Sequence, residues 1–127
     1  MRKQGGDNDV EQKQAWDAME KGGDLYEQGD MEGAAREYMK AAKLGLPEAQ
    51  VNLGNMYDDG ELGEVDRIRS AYWYKRAVKS GLPEAANNLA ISYRNAGKHR
   101  WYLFWLNRAA TMGHEGALEA LHARSKD

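Results

Sequence analysis

The amino-acid sequence predicts an all-α protein, a solenoid of stacked helical hairpins, on three observations. The pentapeptide Gly-Leu-Pro-Glu-Ala occurs at 45–49 and again at 81–85, so the chain repeats itself 36 residues apart. Apolar residues around these corners recur every three to four positions, the spacing of one helix face. Both prolines of the chain lie inside the repeated pentapeptide and none inside the periodic runs, where a proline would break a helix.

The self-similarity extends well beyond the pentapeptide. A shift of 36 carries Tyr38 onto Tyr74, Ala41 onto Ala77, Lys43 onto Lys79, Leu53 onto Leu89 and Tyr57 onto Tyr93. A shift of 32 carries Trp73 onto Trp105, Arg76 onto Arg108, Ala77 onto Ala109 and Gly81 onto Gly113. Two imperfect copies and a partial third are the mark of a repeat array.

Taken in order, residues 1–9 are expected to form a disordered tail, and residues 10–127 a single domain of about three hairpins. A first helix is predicted over 8–28. Gly22 and Gly23 lie inside it and each costs about 1 kcal/mol against alanine, so it is expected to break or start late. The run AAREYMKAAKL places a second helix over 32–44, closed by Gly45 in the left-handed conformation that glycine tolerates. Pro47 opens a third helix, 47–59, because its missing N–H has no partner in a first turn. Glu48 adds negative charge at that helix's positive end. Gly81, Pro83 and Glu84 repeat the corner between helices at 67–80 and 83–96, and two more follow at 98–112 and 115–124, the last as a cap.

Within 47–59, Ala49, Leu53 and Tyr57 form an inward stripe with Gln50 and Gly54 beside it. Val51, Asn52, Asn55, Asp58 and Asp59 fall on the far side. In the next copy Ala85, Leu89 and Tyr93 face inward, with Asn87, Asn88, Ile91, Arg94 and Asn95 opposite. Gly54 and Ala90 are small where a neighbouring helix must approach.

Composition removes several function classes. The formal charge of -2 and pI near 5.9 provide no basic field for nucleic acid or anionic membrane. With no cysteine, disulfides and thiolate metal sites are excluded. The N-terminus lacks the apolar core of a signal peptide and no run is long enough to span a bilayer, which makes the cytoplasm the expected location. No nucleophile elbow, phosphate loop or carboxylate pair suggests an enzyme. Glu115, Glu119 and His122 share a helical stripe, and the turn DDGELGEVD is acidic. The first reads as surface ion pairing, and the second lacks the EF-hand ligand spacing. No metal or cofactor is expected.

The helix AQVNLGNMY followed by SAYWYKRAVKSG resembles the Sel-one-like repeat, a relative of the tetratricopeptide repeat. Its first helix reads A-x-x-x-L-G-x-x-Y and its second A-x-x-W-Y-x-K-A-A. The pattern falls on Ala49, Leu53, Gly54 and Tyr57, then on Ser70, Trp73, Tyr74, Arg76 and Ala77, with Gly60 and Asp66 at the family's spacing in the turn between. Ser70 replaces an alanine, and the turn's glycine-valine pair is displaced, as GELGEV. QGDMEGAAREYMKAAKL is similar to a plain tetratricopeptide unit, with Gly29, Asp30, Ala34, Tyr38 and Ala41 in its pattern. AGKHRWYLFWLNRAATMG lacks the longer turn. The resemblance covers about 15–121 and implies a right-handed α–α superhelix whose first helices line a concave face where peptides dock. It implies a non-catalytic adaptor or scaffold, with a protein or peptide as partner.

On that resemblance, Asn52, Asn55, Asp58, Asn87, Asn88, Ile91 and Arg94 are the candidate partner-binding residues. Asparagine carries both donors and an acceptor and can pair with a peptide backbone of any sequence; a plain solvated face is the competing reading. Replacing Asn55 and Asn88 by alanine is expected to weaken partner capture and leave melting unchanged. The stretch from Trp101 to Leu106 is apolar all round its helix. Trp105 and Leu106 match core positions of the earlier copy, so Trp101, Tyr102 and Phe104 are candidates for a second interface, against burial beneath the last helix. The alternative function that follows is a regulatory or inhibitory protein that sequesters one folded partner through the 101–105 patch. A monomer or weak homodimer is expected.

Overall fold

The computed structural model describes residues 5–125. Among them are seven α-helices and no strand: α1 Gly5–Glu27, α2 Met31–Lys43, α3 Pro47–Asp58, α4 Arg67–Lys79, α5 Pro83–Asn95, α6 His99–Thr111 and α7 Glu115–Ser125. No helix among the described residues is long and apolar enough to cross a membrane. The order of packing is that of a stack. Helices α1 and α2, α3 and α4, and α5 and α6 pair as hairpins, each hairpin leans on the next, and α7 closes the end against α6.

The corners follow from their residues. Gly45 has φ +95° and Gly81 φ +93°, conformations in which a side chain would be strained. At the first corner Gly45 N donates to Ala42 O (3.0 Å) and Leu46 N to Ala41 O (3.1 Å), which satisfies two of the open carbonyls of α2. Gly81 and Leu82 close α4 with the same pair of bonds, and Gly113 and His114 close α6. Leu46 and Leu82 are extended, as the residue before proline must be. Where the first two hairpins turn from first to second helix, a side chain caps the new helix. Asp30 Oδ1 accepts from Gly33 N (2.9 Å) and Asp66 Oδ1 from Arg69 N (3.0 Å).

Helix α1 begins at Gly5, inside the segment expected to be a tail; residues 1–4 of that expectation lie outside the described residues. Nor does α1 break at its glycines. Gly22 is buried, and a Cβ there would stand 2.7 Å from the Tyr38 ring. Gly54 does the same for Tyr74, again at 2.7 Å. In both hairpins the tyrosine of the second helix occupies the space that the glycine of the first leaves open, so the propensity penalty is offset by close packing.

The core forms two adjoining clusters. One gathers α1–α3 with Trp73, and the other gathers α4–α7 with Val51. Val51, expected to face outward, is only 3% exposed. A helix in the middle of a stack has neighbours on two sides, and Val51 packs toward the following hairpin.

Two glycine substitutions should therefore act in opposite directions. Gly54→Ala is expected to lower the unfolding free energy by about 1–3 kcal/mol through overpacking. A Cβ at Gly23 meets only the Tyr38 hydroxyl at 3.8 Å, so Gly23→Ala should raise stability by about 0.5–1 kcal/mol. Urea unfolding of the two variants checks both signs.

Candidate functional site

Two polar hollows, each of about 310 Å³, lie side by side along the first helices. Tyr26, Tyr38, Asn52, Met56 and Glu61 line one; Asp58, Tyr74, Asn88, Ile91 and Asn95 line the other. Asn55 and Asp59 belong to both. The site is thus one continuous depression spanning α1, α3 and α5, with contributions from the second-helix tyrosines and the turn after α3.

Its polar groups are tied together across the stack. Tyr74 Oη donates to Asn55 Oδ1 at 2.5 Å, and Asn88 Nδ2 donates to the same oxygen at 3.2 Å. Ser92 Oγ donates to Asp58 Oδ1 at 2.6 Å. Asn52 Nδ2 lies 3.7 Å from Met19 Sδ, and the Tyr26 hydroxyl donates to Glu61. Asn55 and Asp58 are therefore joints between successive hairpins as well as surface groups. The bond count still leaves Asn55 Nδ2 open, since its oxygen takes both contacts.

The depression is acidic. Asp58, Asp59 and Glu61 line it and no lysine or arginine does; Arg67 Nε reaches Asp58 Oδ1 only at 3.9 Å. Partial burial raises the Asp59 pKa above the usual carboxylate value, and the neighbouring charges of Glu61 and Asp58 push it further the same way. Burial, with the Asp58 charge second, lifts the Tyr74 phenol well above its ordinary value. Burial also raises Tyr38, partly offset by a bond with Asn52. Asp58 and Asp59 stand at the C-terminal end of α3, the negative end of its dipole. This acidic cluster opposes local stability.

Of the seven residues expected to bind a partner, Asn52, Asn55, Asp58, Asn88 and Ile91 line the depression, and Asn87 and Arg94 do not. The Arg94 guanidinium lies over the Tyr102 ring, 5.7 Å from its centre. In the aromatic stretch, Trp101 and Phe104 are 53% and 52% exposed, whereas Tyr102 is buried at 9%. Tyr102 leaves the surface because it turns into the α5–α6 core cluster. Tyr26 and Glu61 were not expected at the site; they meet across 35 positions of sequence, a pairing that no local pattern describes.

The family model described as Sel1 repeat matches residues 47–82 and 103–114. The fold is similar to the crystal structure of a Sel1 repeat protein from Oxalobacter formigenes. The TM-score is 0.69 and the sequence identity 30%, over 93% of this chain and 93% of that chain. No curated protein matches the chain at a significant level.

Asn55→Ala strips the Tyr74 hydroxyl of its acceptor and should lower stability by about 1–2 kcal/mol. The sequence alone led to an expectation of unchanged melting even when Asn55 and Asn88 are replaced together. Asn95→Ala, at an exposed lining position, should stay within about 0.5 kcal/mol of the parent. Thermal melts of the two variants distinguish joint from surface.

The Asp59 carboxyl also predicts a pH dependence. Its pKa is higher in the folded chain, so folding favours the protonated form. That favourable contribution is complete below the unfolded value of about 3.9 and lost as pH rises through the folded value. Asp59→Asn should accordingly stabilise the protein near pH 7 and converge with the parent near pH 3; melting curves at the two pH values check the sign.

Proposed function

Because the chain belongs to the Sel1 repeat family, whose repeats generally mediate protein–protein interaction, we propose that it is a non-catalytic adaptor that binds an extended peptide along the depression shared by α1, α3 and α5. The observation that carries this reading is the acidic lining, Asp58, Asp59 and Glu61, with no lysine or arginine among the lining residues, beside the open Asn55 amide donor. A peptide carbonyl can accept from Asn55 Nδ2, and a basic side chain of the peptide relieves the repulsion among the carboxylates. The stacked hairpins hold these groups before the ligand arrives, which limits the ordering cost of binding.

Peptides of about 12 residues selected from a random display library provide the test. The selected peptides should be enriched in lysine or arginine and lose affinity by about tenfold or more against Asp59→Lys. Binding should be unchanged by Trp101→Ala with Phe104→Ala. Equal affinity for the parent and Asp59→Lys refutes the reading.

A further inference from the structure

On a surface that shares no lining residue with the acidic depression, the chain exposes an apolar groove. A hollow of about 500 Å³ lies between α4 and α5, with Ile68, Tyr72, Leu89 and Tyr93 in its wall. Another, of about 610 Å³, lies over the start of α6 against Trp101 and Phe104. The two share Lys98. The Tyr93 ring sits 6.0 Å from Trp101, and Trp101 meets Phe104 edge-on at 5.8 Å, so an aromatic path joins the hollows. Ile68 is 86% exposed. Apolar groups of this size and adjacency on the surface mark a contact region.

The charge around the groove has one sign. Arg67, Lys75, Lys98, His99 and Arg100 line the two hollows, and no acidic residue does. Among the described residues, no carboxylate lies within ion-pair distance of Lys75, Lys98 or Arg100. The repeat itself makes this unusual. Lys98 occupies the N-cap place that Asp30 and Asp66 fill in the earlier hairpins, and no side chain caps α6. Helix α6 thus starts with Lys98, His99 and Arg100 at the positive end of its dipole, where cations are unfavourable.

We propose that this groove docks an acidic segment of a partner protein that carries large apolar side chains. The hollows take the apolar side chains, and the carboxylates neutralise cations that the chain itself leaves unpaired. A bilayer fits less well, because the aromatic groups line recesses that a side chain enters and a plane of headgroups does not. The surface is separate from the peptide site proposed above, and its test does not depend on that reading.

The test is fluorescence anisotropy with a labelled peptide of about 14 residues, composed of Asp, Glu, Leu and Phe. Its controls are a version with lysine for every acid and a version with alanine for every Leu and Phe. The acidic apolar peptide should bind about tenfold or more tightly than either control, and weaken as salt rises from about 50 to about 300 mM. Trp101→Ala with Phe104→Ala, and separately Lys98→Glu with Arg100→Glu, should each reduce binding about tenfold while circular dichroism stays unchanged. Asp59→Lys should leave it intact. No binding, or equal binding of the three peptides, overturns the proposal. So does retention of affinity by the aromatic or charge-reversed variant. Co-sedimentation with vesicles of about one-third anionic lipid, without the peptide preference, would assign the surface to membranes instead. A concentration-dependent dimer abolished by Trp101→Ala with Phe104→Ala would assign it to a second copy of the chain.

Discussion

The packing of a tyrosine ring onto a helix that lacks a Cβ sets the geometry on which the first two hairpins depend. Gly22 admits Tyr38 and Gly54 admits Tyr74, both at a distance no alanine would permit. The close approach buries both rings, Tyr38 at 6% and Tyr74 at 2% exposed. It also carries the two hydroxyl-bearing ring ends to the first-helix side, where both tyrosines line the polar depression. One contact thus fixes the distance between paired helices and the placement of the site. The third hairpin has Ala90 and Leu106 at these registers, both buried in the same cluster. It packs without a hydroxyl, and the depression ends at α5.

Charge is distributed in opposition to what the totals suggest. A net charge of -2 looks nearly neutral, yet the acidic depression and the basic groove lie on different surfaces. The acidic groups gather at the end of α3, where the helix dipole disfavours them, and the basic ones at the start of α6, where it disfavours them again. Neither arrangement contributes to stability. A stack of short hairpins tolerates this because its cohesion comes from neighbour-to-neighbour burial, as in the cluster that joins Val51 of α3 to α4, α5 and α6.

What could be read from the sequence was what is decided locally. The helix boundaries lie within three residues of expectation, because Gly45, Pro47, Gly81 and Pro83 each act on their own turn of backbone. Misread residues are those whose role is set by another hairpin. Gly22 looked like a weakness because helix propensity contains no term for Tyr38. Val51 and Tyr102 looked free because periodicity assigns a helix one buried side, and a helix inside a stack has two. Asn52, Asn55 and Asn88 were legible as a polar row through the helix face they share, with Asn52 and Asn88 also at one repeat register. That Asn55 joins Tyr74 to Asn88 was not, since the bonds cross 19 and 33 positions.

In a repeat array the residues that hold the fold recur, so function is best sought where a recurring position changes without a structural gain. Leu106 for tyrosine is a change of the ordinary kind, since it remains in the core. Lys98 for aspartate is not. It removes a cap of about 1 kcal/mol and sets a cation against the dipole. No side chain replaces the lost acceptor at α6, although His114 Nδ1 accepts from Ala117 N (3.1 Å) to cap the very next helix. Trp101 and Phe104 follow within two turns, exposed where the earlier second helices carry Gly33 and Arg69, and Arg36 and Tyr72, at the same registers. A missing cap, unpaired cations and uncovered aromatic rings all fall at one corner of the third hairpin. Stability explains none of the three, and an acidic, apolar partner would answer all of them at once.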